Sequence, residues 1–186
     1  MSTENLDKSY GFVILSPEHN VGRVKSSLNA IKEKYPKAPV ICVIGADAKD
    51  KDVKEMEQLC PVLTGKNTIT SLINAAMKNG HDQWSVFLME GANVDYGVVK
   101  KLFLFVKSIK DIMFAAMADY DYQGRISQLH IDFLDCSLNG LTMHKDTFKE
   151  IGDFSDNPWH MSKLMWALSA KDCECTFKGV VGAKFI

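Results

Sequence analysis

The run Val40-Ile41-Cys42-Val43-Ile44 is apolar at every position and is closed by Gly45. A strand with one wet face alternates between apolar and polar residues. A strand that is apolar throughout is buried on both faces, as in a parallel sheet covered by helices. Two further runs share this character. Gly11-Phe12-Val13-Ile14-Leu15 ends at Ser16-Pro17, and Trp84-Ser85-Val86-Phe87-Leu88-Met89 runs directly into Glu90-Gly91-Ala92-Asn93-Val94-Asp95. Any fold for this chain must cover both sides of these strands.

The segments between them carry helical spacing. Val21 to Tyr35 has apolar residues at Val24, Leu28 and Ile31 and is stopped by Pro36. Asp50 to Leu59 places Val53, Met56 and Leu59 on one side of a charged helix, and Pro61-Val62-Leu63 reads as a brief strand. Thr68 to Lys78 reads as a helix capped by Asn67 or Thr68 and ended by Asn79-Gly80. A further helix is expected from Tyr96 to Ile109.

The second half is mixed. Ile112 to Asp119, Tyr122 to Gln128 and Leu129 to Cys136 read as strands, with a hairpin signal at Asp121-Tyr122-Gln123-Gly124. Leu141 to Met143 is a short strand, Lys145 to Ile151 a short helix and Pro158 to Ala170 a longer one, before strand-like runs at Glu174 to Lys178 and Val180 to Phe185. The expected architecture is one α/β domain over residues 1–186, with a mostly parallel sheet and helices on both faces. Residues 1–9 are expected to form a flexible N-terminus.

Composition narrows the partners. With 46% hydrophobic and 24% charged residues the chain is an ordinary globular one. A net charge of −1 supplies no field to recruit nucleic acid or an anionic membrane. No apolar stretch approaches the roughly 20 residues that span a bilayer, and the N-terminus lacks a signal-peptide pattern, so a cytoplasmic location is expected. The five cysteines (Cys42, Cys60, Cys136, Cys173 and Cys175) include no CxxC pair. Cys42 reads as a small core residue, and a zinc site at Cys173 and Cys175 lacks its further ligands.

Chemistry is expected at the strand ends, because ligands of alternating α/β sheets bind beyond the carboxyl ends of the strands. Pro17 and Glu18 follow the first strand, Asp47 the second, Lys66 the third and Glu90 the fourth. Glu90, Asn93 and Asp95 are hard oxygen donors of the kind Mg²⁺ or Mn²⁺ accepts. Each has a structural reading as well. Asp47 suits a turn or helix cap, Asn20 an N-cap, and Glu90 and Asp95 solvated loop acids. Trp159, Met161, Met165 and Trp166 form a helical stripe suited to a core.

The order of these pieces resembles the family-2 glycosyltransferases, nucleotide-diphospho-sugar transferases with a single Rossmann-like domain. The resemblance runs from about Phe12 to Phe177. Val13 to Asn20 is similar to that family's opening strand and turn, Ser26 to Ile31 to its first helix, and Val40 to Asp47 to its second strand with a base-contacting acid. Ser71 to Ala76 is similar to the helix that carries the family's Ala-x-Asn-x-Gly pattern. Asn139 to Phe154 resembles its acceptor-side segment, in which a small-residue strand precedes Phe-x-x-x-Gly-x-Phe. The chain also departs from the pattern. Met89-Glu90-Gly91-Ala92 stands where the family has a run of aspartates, and Asp156-Asn157-Pro158-Trp159-His160 where it has Glu-Asp. The Gln-x-x-Arg-Trp signature of processive members is absent.

The resemblance implies transfer of a sugar from a nucleotide donor, UDP-linked by expectation, to an acceptor glycan, lipid or protein. Expelling a diphosphate builds charge that a cation or basic side chains must neutralise, and the acceptor hydroxyl needs a base. On this reading Pro17, Glu18, Asp47 and Lys66 bind the nucleotide, and Glu90 and Asp95 face a divalent cation. Asp153 or Asp156 is the base, with His160 a weaker substitute. The alternative is a module that keeps the fold for binding or structure after losing its acids.

Overall fold

The computed structural model describes residues 10–81, 84–92, 112–117, 142–151, 153–154 and 176–180. Within them the chain runs β1 (Tyr10–Ser16), α1 (Val21–Lys34), β2 (Val40–Gly45), α2 (Asp50–Glu57), β3 (Val62–Gly65), α3 (Ile69–Asn79) and β4 (Trp84–Met89). There follow β5 (Ile112–Met117), β6 (Thr142–His144), α4 (Lys145–Ile151) and β7 (Thr176–Val180). The expected helices Tyr96–Ile109 and Pro158–Ala170, the Asp121–Gly124 hairpin and the strands Tyr122–Gln128 and Leu129–Cys136 lie outside the described residues.

The strands form one sheet in the order β3-β2-β1-β4-β6-β5-β7. The first four are mutually parallel, with β1 paired to both β2 and β4. The second half is mixed, since β6 runs antiparallel to β4 and β5 while β7 runs parallel to β5.

The apolar runs behave as their composition requires. Every residue of β1 and β2 is buried. Alternate residues point to opposite faces, and each face has its own helices. Phe12, Ile14, Cys42, Ile44, Val86 and Leu88 pack with Val24, Leu28 and Ile31 of α1 and Met56 of α2. Val13, Leu15, Ile41, Val43 and Phe87 pack with Leu72, Ile73, Ala76 and Met77 of α3 and Phe148 of α4. Burial of each large side chain contributes roughly 1.5–3 kcal/mol, so the two layers together hold the helices to the sheet. Helix ends follow local chemistry: Asn20 caps α1 by accepting from the Arg23 amide, and Thr68 caps α3 by accepting from the Ser71 amide.

The return from α4 is tied down by a reciprocal pair. The buried Asn74 side chain of α3 donates to the Phe154 carbonyl at 2.8 Å and accepts from the Phe154 amide at 3.0 Å. Both backbone groups are thereby satisfied where water is excluded. Among the described residues no helix is long and apolar enough to cross a membrane.

Burial raises the Cys42 and Cys60 thiols above their ordinary range, so neither is a thiolate in the folded protein. In the native state at about pH 8 neither should be alkylated by iodoacetamide, and both should be in urea, as read by peptide mass spectrometry. Asn74→Ala should cost about 2 kcal/mol or more, because it leaves the Phe154 amide and carbonyl buried without partners. A urea titration should show a lower midpoint at unchanged slope.

Candidate functional site

The chain steps outward from β1 to β2 and β3, then crosses back to set β4 on the other side of β1. β2, the next strand after β1, and β5, the next after β4, therefore lie on opposite sides of the β1–β4 pair. The carboxyl ends of β1 and β4 flank this switch point in strand order, the position at which doubly wound sheets hold a ligand crevice.

Glu90 sits in that crevice, and 8% of its surface is exposed. Its backbone amide extends the β1–β4 ladder by donating to the Leu15 carbonyl at 2.9 Å. Its carboxylate accepts three hydrogen bonds from the β1–α1 connection. Ser16 Oγ donates to Oε2 at 2.5 Å, the Asn20 amide to Oε2 at 3.0 Å and the Glu18 amide to Oε1 at 3.0 Å. Between the two amides His19 adopts φ 56°, the left-handed region that non-glycine residues seldom occupy. Amides two residues apart that converge on one anion form a backbone nest. Here the anion is a side chain of the same protein.

The segment after Glu90 is bound to α1. The Gly91 amide donates to the Arg23 carbonyl at 3.2 Å, and Ser27 Oγ donates to the Ala92 carbonyl at 2.9 Å. Gly91 has φ +84°, and a Cβ there would lie 3.5 Å from the Arg23 side chain. Glycine suits this turn on conformation more than on space.

The β2 and β3 connections complete the edge. Asp47 Oδ1 lies 3.1 Å from His19 Nε2, while that nitrogen, buried within the loop, makes no hydrogen bond. The short distance is therefore an electrostatic contact without hydrogen-bond alignment. Asn67 approaches the Asp47 amide at 3.4 Å through Oδ1, and the Lys66 amide donates to Ser71 Oγ at 2.8 Å. Gly45 lies beneath this group, since a Cβ there would fall on the Asn67 side chain and 2.9 Å from His19 Nε2. Glu18 pairs with Arg23 at 2.7 Å on the exposed flank, a pair worth little in water.

The structure thus brings Pro17, Glu18, Asp47, Lys66 and Glu90 to one edge of the sheet. Asp95 and Asp156 lie outside the described residues. Asp153 stands elsewhere. It is ion-paired with Lys78 in the last turn of α3. That helix runs back against the strands and delivers His81 beside Gly11, at the start of β1. Asp153 therefore stands beside the amino-terminal end of the parallel strands, away from the crevice, with its charge already matched.

A divalent cation fits the described residues poorly. Oε2 of Glu90 accepts from two donors and Oε1 from one, so the expected cation-facing carboxylate is already spent on the loop. Among the described residues no group of three His, Cys, Asp or Glu side chains is arranged to hold a metal ion.

The sequence marked His19 only as a turn residue and Asn67 only as one of two candidate helix caps, and it did not mark Ser16. One signal for His19 was present, its place two residues beyond a proline that ends a buried strand. Nothing local marks the contacts that Ser16 and Asn67 make here, since their partners lie 74 and 20 residues away.

No family model matches the chain, and no curated protein matches it in sequence. Its fold is that of the nucleotide-diphospho-sugar transferases. Over its full length it superposes on 75% of glucosyl-3-phosphoglycerate synthase from Mycobacterium tuberculosis, solved in complex with Mg²⁺ and UDP, with a TM-score of 0.71 at 10% identity. Over 93% of its length it matches 55% of a mannosyltransferase from Pyrobaculum calidifontis, solved with GDP-Man and Mn²⁺, at TM-score 0.68 and 11% identity. Over 94% it matches the bifunctional IspDF from Campylobacter jejuni at TM-score 0.62 and 9% identity, spanning 50% of that longer chain.

Gly45→Ala should displace Asn67 and crowd His19 at a cost of about 1 kcal/mol or less, because the Asn67 side chain is exposed and free to swing away. The His19 ring and Asp47 amide resonances should shift in NMR spectra while the α3 resonances stay in place.

Proposed function

We propose that the chain transfers a sugar from a nucleotide donor, UDP-linked in our reading, to a hydroxyl of a glycan, lipid or protein acceptor. The observation that carries this reading is the gathering of Glu18, Asp47, Lys66 and Glu90 at the carboxyl ends of β1, β2, β3 and β4, beside the switch point in strand order. There His19 Nε2 lies 3.1 Å from Asp47 Oδ1. A paired imidazole and carboxylate at a switch point suit a polar ligand. In this reading Asp47 and His19 meet the nucleoside, with Pro17 and Glu18 forming its wall.

Lys66 is assigned to the diphosphate, whose charge grows as the glycosidic bond breaks. Asp156 is the proposed base for the acceptor hydroxyl, Asp153 being engaged with Lys78. Relatives in fold are solved with Mg²⁺ or Mn²⁺, and Asp95 is the acid left to contact such a cation. No step is assigned to the cation, because the described residues do not form its cage.

Thermal denaturation with UDP, GDP and CDP, each with Mn²⁺ and with EDTA, tests the proposal. UDP at about 100 times its Kd should stabilise the fold by about 2.7 kcal/mol, and Asp47→Asn should reduce the effect at unchanged Tm of the free protein. Absence of stabilisation by all three nucleotides would overturn the proposal and leave a domain that keeps the fold without the donor site.

A further inference from the structure

The Glu90 carboxylate is the first group beyond β4, at the crevice where a donor would bind, and it is used up internally. We propose that Glu90 is a positioning residue, acting as the built-in anion of the β1–α1 nest, and that it shapes the nucleoside-binding loop without contacting a cation. The proposal rests on the nucleotide-binding reading above, but its physical basis is independent of it.

Three observations converge. First, the three donors are the O–H of Ser16 at the end of β1 and two amides of the four-residue connection Pro17 to Asn20, so a single carboxylate sets the path of the whole loop. Second, His19 between those amides is left-handed. A non-glycine residue holds that conformation at a cost of about 1 kcal/mol or more, so something must oppose its relaxation. The flanking amides held on Glu90 are that restraint. Third, Glu90 itself does not move freely. Its amide is in the β1–β4 ladder, and the next two residues are bonded to Arg23 and to Ser27 of α1. Strand end, loop and helix start form one braced corner, and His19 is the side chain the corner presents toward Asp47.

The arrangement has a chemical consequence. Amides in a nest at a helix start attract phosphate in many nucleotide-binding proteins. Here the Glu18 and Asn20 amides are occupied by a negative group. A donor's diphosphate is therefore turned away from this loop, and the loop is left to read the nucleoside through His19 and Asp47.

Variants at position 90 separate a positioning role from cation binding. Glu90→Ala should weaken UDP binding by about 10-fold or more in calorimetry, equally with Mn²⁺ and with EDTA, since the lost restraint is not the cation's. Millimolar formate, which places a carboxylate among the three orphaned donors, should restore part of that affinity in Glu90→Ala and do nothing to the unaltered protein. Loss of affinity confined to Mn²⁺, or a complete failure of formate to rescue a folded variant, overturns the proposal.

Amide hydrogen exchange reads the loop without any nucleotide. The Glu18 and Asn20 amides should exchange about 10-fold faster or more in Glu90→Gln, with β1 protection kept. Unchanged exchange at both amides overturns the proposal even if UDP binds. Unaltered protein that ignores UDP yet shows the exchange effect removes the nucleotide reading and keeps the positioning role. Should Glu90→Ala fail to fold, the Glu90→Gln exchange experiment decides alone.

Discussion

The pairing of β1 with β4, strands separated by more than sixty residues of chain, is the contact on which the site depends. Tyr10 to Leu15 align with Trp84 to Met89, and the Glu90 amide prolongs the ladder onto Leu15. A shift of that register by one residue would turn the Glu90 side chain to the other side of the sheet. The register therefore fixes both the crevice and its occupant. The register is held in turn by burial, because β1 is covered on both faces and has no exposed alternative.

Glu90 shows how position and chemistry part company. It stands at the end of β4, where a nucleotide-sugar transferase would place acids near a cation, yet its oxygens are satisfied by Ser16, Glu18 and Asn20. A buried carboxylate without partners would be costly, and three donors compensate its desolvation. The same contacts set His19 Nε2 3.1 Å from the Asp47 carboxylate. The fold by itself makes no choice between catalysis and simple binding.

Much of the first half was legible from residue order. The strands at Gly11, Val40 and Trp84, the helices from Val21, Asp50 and Thr68, and the cap Asn20 all follow from local rules, namely apolar runs, helical spacing and side-chain oxygens before the first turn, while the choice of Thr68 over Asn67 as a cap was left to the structure. The placement of Pro17, Glu18, Asp47, Lys66 and Glu90 on one edge followed from the same reading, because parallel strands joined by helices put all their carboxyl ends together. The role of Asp153 did not follow. Its setting depends on the direction of α3 and on Lys78, seventy-five residues earlier.

The sequence by itself determined that the strands would be buried on both faces, that helices would cover them, and that the chemistry would gather at the strand ends. These are properties of neighbouring residues and of chirality, which act over a few positions. Tertiary structure alone decided which strand lies beside which, since an apolar run such as Val40 to Ile44 carries no label for its partner or for either face. It also decided that the Glu90 carboxylate would meet amides some seventy residues away and that His19 would stand against Asp47. Such contacts arise from a register shared by distant segments, and no local pattern records them.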